Sequence, residues 1–545
     1  MTVSMHDLVP HRLRRAWAAA GECPDLDLYS LFRAQRCMDP HRTAVLDDAG
    51  KLCYTQLDRM VRRTAAGLRD AGVHAGDVVG VQLPNCREAV VADLAIAAIG
   101  AVALPFPAGR GIREAESLLR RAEAVAVVAA TDFRGRAHAA DLAGLLDRLP
   151  ALRIVAAVGT QSVPERCLAW RDLLRADGDT FVPARPDPDS AARILVSSGS
   201  EAEPKMVAYS HNALAGGRGN FMASLLTDRE PPRNLFLVPL ASAFGSNGTA
   251  VTLARHGGTL ILLEHFSPEA AIATIEQHRP THVLGVPTMV RMMLEHNVSG
   301  SDTRSMRALV LGGEPLDRVT AEEAERAFGC AVVNLYGSAD GVNCHTDLSE
   351  TGTATEGPGI IVGCPDPRVA DIRIADVDTG TIAPPGETGE IVARGPMTPL
   401  CYVGDPELDA RYRTADGWVR TGDLGVFDPA GRLHVVGRLK DIVIRGGANI
   451  SVAEVEQLLA EHPDIRDVVC VGVPHAALGE CLAVCVVPRL GAVPDLASLG
   501  THLLARGLER AKHPESLLLL DTLPLTPAGK PDRAAIRRLL AAVVT

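Results

Sequence analysis

Residues 197–205 read Ser-Ser-Gly-Ser-Glu-Ala-Glu-Pro-Lys, between the apolar run Ile194-Leu195-Val196 and the segment Val207-Ala208-Tyr209. This pattern predicts a buried strand that leads into a loop of hydroxyl side chains, with a single glycine and with a proline before the lysine. Backbone N–H groups and hydroxyls of such a loop can surround anionic oxygens, and a lysine adds a compact, movable charge. We therefore interpret this stretch as a phosphate-binding loop whose binding residues are Ser197, Ser198, Gly199, Ser200 and Lys205.

The loop differs from the Walker motif, because Gly199 is its only glycine and Pro204 stands at the position of the second one. A serine-rich turn with a proline is also an ordinary feature of protein surfaces. Taken alone, the loop leaves phosphate binding and a plain surface turn about equally open.

The composition narrows the class of protein. A chain of 545 residues is too long for one ordinary core, so we expect at least two domains. Hydrophobic residues make up 47% and charged residues 22%, as in globular proteins. The net charge of -11 argues against nucleic-acid binding, which needs a basic surface.

Lysine is scarce among the 55 basic residues: the chain has Lys51, Lys205, Lys440, Lys512 and Lys530. Nearly all of the basic residues are therefore arginines. A retained lysine therefore suggests a site that needs a small, mobile ammonium group.

The cysteines and the apolar runs predict the cellular setting. The 12 cysteines include no Cys-x-x-Cys pair, so we expect free thiols rather than a zinc site. The N-terminal residues lack the pattern of a secretory signal, and no apolar run reaches membrane-spanning length. We expect a cytoplasmic protein without a membrane partner.

Strand and helix patterns alternate through the first two thirds of the chain. Residues 55–71 and 88–99 have helical periodicity, whereas residues 78–82, 102–105, 124–128 and 308–311 are short, mainly apolar runs. Such alternation predicts doubly wound, mostly parallel sheets covered by helices. We therefore expect an α/β fold.

The pattern changes after Tyr336, and this change suggests the domain organisation. Shorter strands with turns predict a β-rich subdomain at about 338–437, and a fresh α+β pattern follows. We expect an N-terminal body of residues 1–437 and a small C-terminal cap of residues 438–545.

Further motifs follow the loop in a fixed order. They are residues 312–316 (Gly-Gly-Glu-Pro-Leu), 336–341 (Tyr-Gly-Ser-Ala-Asp-Gly), 420–425 (Arg-Thr-Gly-Asp-Leu-Gly), 437–441 (Gly-Arg-Leu-Lys-Asp), 445–450 (Arg-Gly-Gly-Ala-Asn-Ile) and 524–533 (Pro-Leu-Thr-Pro-Ala-Gly-Lys-Pro-Asp-Arg). In this order the chain resembles the adenylate-forming superfamily of acyl- and aryl-CoA synthetases, peptide-synthetase adenylation domains and luciferases. Residues 81–85 and 103–105 look closest to the branch that activates aryl acids.

The resemblance implies roles for individual residues. Lys530 matches the family lysine that spans the substrate carboxylate and the α-phosphate of ATP, and Lys440 matches the hinge about which the cap rotates. Asp423 and Arg438 look like the ribose contacts. Adenine would lie between the Tyr336 ring and the backbone near Gly312, and the implied nucleotide-binding residues there are Gly312, Gly313, Glu314, Tyr336, Gly337 and Ser338.

The implied cofactors are ATP and Mg²⁺, with CoA or a phosphopantetheine-bearing carrier protein as acceptor. Asp340 stands where the family has a glutamate that reaches Mg²⁺, and it is one methylene shorter. The loop also departs from the family, with Glu201-Ala202 in place of threonine and glycine and Met206 in place of a frequent glycine.

Residues 239–246 match the family segment that lines the acyl pocket, and we assign Ser242, Phe244, Gly245 and Ser246 to that pocket. The segment lacks the histidine or asparagine of many relatives, and it offers no aspartate for an amino-acid ammonium group. Small side chains beside the flat Phe244 favour a compact ring.

The sequence thus predicts an enzyme that adenylates a small aromatic or cyclic carboxylic acid, then transfers it to a thiol. One alternative is diazotase-type activation of nitrite for N–N bond formation on an arylamine, with Glu201 near the amine. A second alternative is a non-catalytic member that only binds nucleotide, and a luciferase-like oxygenase is remote.

Overall fold

The structure is a computed structural model that describes residues 5–159, 162–197, 204–227, 230–296, 298, 300–349, 359–439, 442–445, 448–475, 479–506, 508, 510–525 and 531–544. The chain forms two compact units. The first comprises Met1–Thr353, Gly363–Ile372 and Val392–Thr421, and the second comprises Ala354–Val362, Arg373–Ile391 and Gly422–Thr545. The domain boundary that the sequence suggests after residue 437 stays a prediction.

The strands follow the chain in this order: β1 (Thr43–Asp47), β2 (Gly50–Cys53), β3 (Val78–Gln82), β4 (Val102–Pro105), β5 (Ala126–Ala130), β6 (Ile154–Val158), β7 (Leu168–Ala169), β8 (Ala191–Val196), β9 (Met206–Ser210), β10 (Arg233–Phe236), β11 (Thr259–Leu262), β12 (His282–Gly285), β13 (Ala308–Gly312), β14 (Ala331–Ser338), β15 (Val342–His345), β16 (Ile360–Ile361), β17 (Asp371–Ala375), β18 (Gly389–Arg394), β19 (Cys401–Tyr402), β20 (Val419–Phe427), β21 (Leu433–Arg438), β22 (Ile442–Arg445), β23 (Ala448–Ser451), β24 (Ile465–His475), β25 (Gly479–Pro488) and β26 (Ser516–Leu519).

The α-helices are α1 (His11–Ala19), α2 (Leu28–Met38), α3 (Tyr54–Asp70), α4 (Arg87–Ile99), α5 (Ile112–Arg121), α6 (His138–Ala143), α7 (Trp170–Leu173), α8 (Arg218–Ser224), α9 (Pro268–His278), α10 (Pro287–Glu295), α11 (Arg318–Phe328), α12 (Pro406–Tyr412), α13 (Val452–Ala460), α14 (Leu496–Ala505) and α15 (Arg533–Val544). Wider π-helical turns occupy Ala213–Gly217 and Gly248–Arg255.

Two large sheets organise the first unit. Over the described residues their strand orders are β15-β14-β13-β12-β10-β11-β1-β2 and β19-β9-β8-β4-β3-β5-β6-β7. Most neighbouring strands are parallel, and antiparallel pairs occur toward the ends, as in β14 with β15 and β8 with β9. The predicted α/β class with mostly parallel sheets is confirmed.

Burial explains why these short runs form strands. Every residue of β3, β4 and β5 is buried, as expected for parallel strands covered by helices on both faces. Leu104, Val127, Ile194 and Met206 belong to one apolar core of the second of these sheets. Leu235, Leu309 and Phe328 belong to the core of the other.

A third sheet has the strand order β16-β21-β20-β18-β17. Residues 371–438 thus contain the shorter strands that the sequence indicates after Tyr336. Within the second unit, β24 and β25 form a long antiparallel hairpin, and its core includes Ile450, Leu459 and Leu482.

No helix in the described part of the chain is both long enough and apolar enough to span a bilayer.

Candidate active site

The predicted phosphate loop connects two antiparallel strands. Val196 of β8 pairs with Met206 of β9, and the pairing continues beyond the strands. The Ser197 N–H donates to the Lys205 carbonyl at 2.9 Å, and the Lys205 N–H donates to Ser197 Oγ at 3.1 Å. These bonds close the base of the loop and fix where the lysine side chain begins.

Met206, which departs from the family pattern, is a buried core residue. Its side chain is 1% exposed and packs in the core of the sheet. Methionine at this position therefore contributes to packing, because every residue of β9 is buried and the larger side chain fills space in the core.

Lys205 lies among a carboxylate and two aromatic rings. Its ammonium nitrogen is 3.5 Å from Asp340 Oδ1, 3.9 Å from the ring centroid of Tyr412 and 5.4 Å from that of Tyr402. The Tyr402 hydroxyl donates to Asp340 Oδ1 at 2.6 Å. The structure thus brings together the lysine of the predicted phosphate loop and the predicted metal carboxylate.

The turn between β14 and β15 holds Asp340 in place. The Asp340 N–H donates to Ser338 Oγ at 3.0 Å, and Ser338 Oγ donates to Asp340 Oδ2 at 3.3 Å. Gly341 follows with φ of 109°, and a Cβ there would lie 2.4 Å from Pro399 Cδ. Only glycine suits that position.

The predicted magnesium ligand of this region is Asp340. Among the described residues, no group of three or more His, Cys, Asp or Glu side chains could hold a metal. Mg²⁺ often binds through one carboxylate together with phosphate oxygens and water. Asp340 offers such a carboxylate, with Oδ1 already shared with Lys205 and Tyr402.

The predicted adenine-binding residues follow the carboxyl ends of neighbouring parallel strands. Gly312 ends β13, and Tyr336 lies near the end of the adjacent β14. The Glu314 carboxylate accepts hydrogen bonds from Thr288 N–H at 3.2 Å and Thr288 Oγ1 at 2.7 Å. That side chain thus binds the first turn of α10.

The predicted acyl segment is held by buried polar side chains. Asn85 donates to the Val238 carbonyl at 3.0 Å and accepts from the Leu240 N–H at 2.7 Å. Arg193 donates to the Leu240 carbonyl at 2.9 Å and pairs with Asp93 at 2.6 Å. Fixed hydrogen bonds, rather than apolar packing alone, therefore define the first half of this segment.

Arg218 holds the second half. It donates to the Ala243 carbonyl at 2.7 Å and to Ser246 Oγ at 2.9 Å. The Gly245 N–H donates to Ser242 Oγ at 2.9 Å, and a Cβ at Gly245 would lie 2.0 Å from the Pro239 carbonyl oxygen. The tight turn thus requires glycine at 245 and involves three of the four predicted pocket residues.

Sequence reasoning missed the supporting arginines. Arg193 and Arg218 are 4% and 5% exposed. The sequence feature that could have identified them is a charged residue inside an otherwise apolar strand or helix, because a buried charge usually has a partner.

In the second unit, Asp423 and Arg438 are direct partners on β20 and β21. Arg438 Nε lies 3.0 Å from Asp423 Oδ1, with the aspartate buried and the arginine half exposed. Antiparallel strands thus bring the two predicted ribose contacts together from positions 15 residues apart.

The flanks of the predicted catalytic lysine form a closed base. Leu525 and Pro531 make a β-bridge, and the Asp532 N–H donates to the Pro524 carbonyl at 2.8 Å. Arg533 then binds both oxygens of Glu456 at 2.8 Å. Lys530 itself lies outside the described residues, as do Ser198, Gly199, Ser200, Glu201, Ala202 and Lys440.

Burial sets the protonation of two groups in the first unit. Burial, together with the adjacent Asp340 carboxylate, raises the pKa of Tyr402, so its hydroxyl stays protonated and donates. Burial lowers the pKa of His211 to about 4, and its neutral Nδ1 accepts the Leu28 N–H at 3.2 Å.

Two family models match this chain. The model of the AMP-binding enzyme family matches residues 32–403, and that of the AMP-binding enzyme C-terminal domain matches residues 454–530. The chain is 32% identical over 544 residues to the 2-hydroxy-7-methoxy-5-methyl-1-naphthoate–CoA ligase of Streptomyces carzinostaticus, covering 97% of this chain and 96% of that ligase.

Two further similar proteins are named for different products. The salicyl-AMP ligase / salicyl-S-ArCP synthetase of Mycobacterium tuberculosis is 32% identical over 515 residues, covering 92% of this chain and 88% of that protein. The solved structure of amide bond synthetase McbA from Marinactinospora thermotolerans superposes with a TM-score of 0.83 at 31% identity, covering 94% of this chain and 99% of that one.

Proposed function

Since this chain belongs to the AMP-binding enzyme family and is an adenylate-forming acid ligase, we propose that its acid is a small aromatic or cyclic carboxylate and its acceptor a thiol. The observation that carries the substrate proposal is the acyl segment. Small side chains flank Phe244 there, and buried Asn85, Arg193 and Arg218 hold the segment rigidly. A rigid, mostly uncharged wall suits a flat ring better than a flexible or zwitterionic acid.

The chemistry requires positive charge around two anions. The substrate carboxylate attacks the α-phosphorus of ATP, the bond to pyrophosphate breaks, and an acyl-adenylate forms. We assign Lys530 to the carboxylate and the α-phosphate, and Lys205 with the serines of the loop to the outer phosphates. When bound, Mg²⁺ would neutralise phosphate charge, and Asp340 is the residue that would hold it.

The nucleoside is assigned to two groups of residues. We place adenine against Tyr336 and the backbone of residues 312–314, and the ribose hydroxyls on Asp423 with Arg438 beside them. After adenylation, the proposed cap of residues 438–545 rotates about Lys440, withdraws Lys530 and admits the acceptor.

Pyrophosphate exchange tests the substrate class. The purified chain is given ATP, labelled pyrophosphate and single acids from aryl, alicyclic, fatty and amino-acid series. We expect exchange to be fastest with a benzoate-, salicylate- or naphthoate-like acid. Fastest exchange with a long-chain fatty acid or an α-amino acid would contradict the proposal. If no acid supported exchange, the alternative of a non-catalytic, nucleotide-binding protein would be favoured.

The catalytic lysine provides a prediction. Lys530→Ala should reduce acyl-adenylate formation at least about 100-fold, because a charge aimed at the transition state is removed. ATP binding, measured by calorimetry, should change little. Lys512→Ala is the matched control on the same unit and should retain activity; loss of ATP binding in Lys530→Ala would mean that the lysine has another role.

A second candidate changes only the acceptor. The likeness to a structure named an amide bond synthetase is the observation that supports an amine as the alternative acceptor. Product masses after supplying CoA, a phosphopantetheinyl carrier protein or an arylamine to the preformed adenylate would separate the two. An arm with nitrite and an aminobenzoate tests the diazotase-type alternative in the same assay.

A further inference from the structure

Three of the six tyrosines of this chain surround the end of the phosphate loop and the turn that carries Asp340. Tyr209 donates to the Ala339 carbonyl at 2.9 Å, Tyr402 donates to Asp340, and the Tyr412 ring lies under the Lys205 ammonium. A chain with 3% aromatic residues has therefore concentrated half of its phenol rings at one place.

The contact between Lys205 and Tyr412 is close. The ammonium nitrogen lies 3.9 Å from the ring centroid, and the lysine side chain is 13% exposed. A cation over an aromatic face is attracted by the ring electrons, and the attraction grows when water is excluded. The ring can thus restrain a flexible ammonium without consuming its three N–H donors.

Tyr402 performs the matching task for the carboxylate. Its hydroxyl is 2.6 Å from Asp340 Oδ1, the same oxygen that faces Lys205. Asp340 is shorter by one methylene than the glutamate expected at this position. A short hydrogen bond from a fixed strand residue holds this shorter side chain on the loop side of the turn.

We propose that Tyr412 and Tyr402 are positioning residues: Tyr412 holds the Lys205 ammonium ready for the β- and γ-phosphates of ATP, and Tyr402 holds the Asp340 carboxylate ready for the Mg²⁺ that would accompany those phosphates. This inference rests on the proposed assignment of Lys205 to those phosphates. Neither tyrosine touches the reacting atoms. Their effect is to reduce the motion that the two charged side chains must lose when a triphosphate binds.

ATP and AMP should respond differently to the loss of these contacts. AMP has no β- or γ-phosphate, so a weakened Lys205 restraint should affect ATP binding and leave AMP binding nearly unchanged. A general disturbance of the nucleotide site would weaken both.

The experiment measures the Kd of ATP and of AMP by calorimetry, with Mg²⁺ present and without acid, for the full-length protein and its variants. Tyr412→Leu should weaken ATP binding about 5- to 20-fold and AMP binding less than twofold. Tyr412→Phe keeps the ring and should retain the ATP affinity of the parent protein. Arg411→Ala alters the neighbouring exposed residue of α12, whose guanidinium lies 5.2 Å from the Tyr412 ring, and should change neither affinity.

Equal weakening of ATP and AMP in Tyr412→Leu, or unchanged ATP affinity, would overturn the proposal. Loss of ATP affinity in Tyr412→Phe would overturn the role of the ring. In steady-state assays, KM for ATP should rise while KM for the acid stays constant. Because the calorimetry omits the acid, a wrong acid or acceptor would leave the ATP-to-AMP contrast intact.

A double-mutant cycle tests Tyr402. Tyr402→Phe and Asp340→Ala each remove the same hydrogen bond, so their combined loss of ATP affinity should be no greater than the larger single loss. Losses that multiply would show that Tyr402 does not act through Asp340. Thermal unfolding of each variant without nucleotide verifies that the fold is retained.

Discussion

Arg193 shows how one buried charge supports the acyl segment. Its side chain is 5% exposed, pairs with Asp93 and donates to the Leu240 carbonyl. Removing one partner of a buried ion pair leaves an uncompensated charge, which is far more destabilising than loss of a surface pair.

We therefore predict that Asp93→Asn destabilises the first unit by about 3 kcal/mol. The measurement is urea-induced unfolding followed by tryptophan fluorescence. Asp302→Asn, which breaks the exposed pairs with Arg279 and Arg304, is the control and should leave the unfolding midpoint unchanged. A similar midpoint for both variants would contradict the role of the buried pair.

His211 predicts a pH dependence. Burial lowers its folded-state pKa to about 4, below the ordinary value of about 6.5. The unfolded chain therefore binds a proton more readily, so this contribution to stability is complete above pH 6.5 and is lost as pH falls through 4. The loss amounts to at most about 3 kcal/mol.

The measurement compares urea midpoints of the parent protein and His211→Gln between pH 7.5 and pH 4. Glutamine keeps an acceptor for the Leu28 N–H but takes up no proton. The stability difference between the two proteins should shift in favour of the variant as pH falls. A difference that is constant across this range would contradict the prediction.

Residue-level prediction from sequence worked best where a motif fixes a residue type. Lys205 and Asp340 were singled out from the sequence, and the structure places them 3.5 Å apart. Tyr402, Tyr412 and Arg218 were not, because their contacts join residues far apart in the chain through side-chain packing. A local pattern does not encode such contacts.

At the scale of elements, the strand pair β20 and β21 presents Asp423 and Arg438 together. The proposed ribose contact predicts that Asp423→Asn weakens ATP and AMP binding by similar factors, about 10-fold or more, since both nucleotides contain the ribose and charged acceptors bind hydroxyls strongly. Calorimetry with both nucleotides checks this.

Asp416→Asn is the control for that experiment, because Asp416 is an exposed aspartate in the turn before β20 and pairs with Arg394. It should bind both nucleotides normally. If Asp423→Asn weakened the binding of ATP but not that of AMP, Asp423 would have to be assigned to the phosphates instead of the ribose.

The elements themselves were largely predictable. Residues 78–82 and 102–105 form strands with the predicted bounds, because a short apolar run between turn residues has few alternatives. The π-helical turns at Ala213–Gly217 and Gly248–Arg255 were not predicted. In the first of these turns a Cβ at Gly217 would lie 2.2 Å from the Met397 nitrogen, and local sequence does not show such a long-range contact.

At the scale of the whole molecule, each unit has an apolar core of its own. We predict two transitions in scanning calorimetry, because separate cores unfold as separate cooperative units. Leu482→Ala should lower the transition of the second unit by several degrees, since large-to-small changes in a core cost about 2–5 kcal/mol. Leu309→Ala should lower that of the first unit.

Each of these two variants is the control for the other, since Leu309 and Leu482 are both fully buried and belong to different units. A single transition that both variants lower equally would show that the chain unfolds as one body.

The two hydrogen bonds between Ser197 and Lys205 fix both ends of the intervening stretch. The backbone position of the lysine is therefore set by these bonds rather than by the residues between them. Substitutions between these two anchors would change the phosphate contacts proposed for the loop while the anchoring hydrogen bonds are kept, whereas one residue added within β9 would turn the following side chains to the opposite face. This stretch is therefore a natural position for diversifying nucleotide preference in the laboratory by substitution.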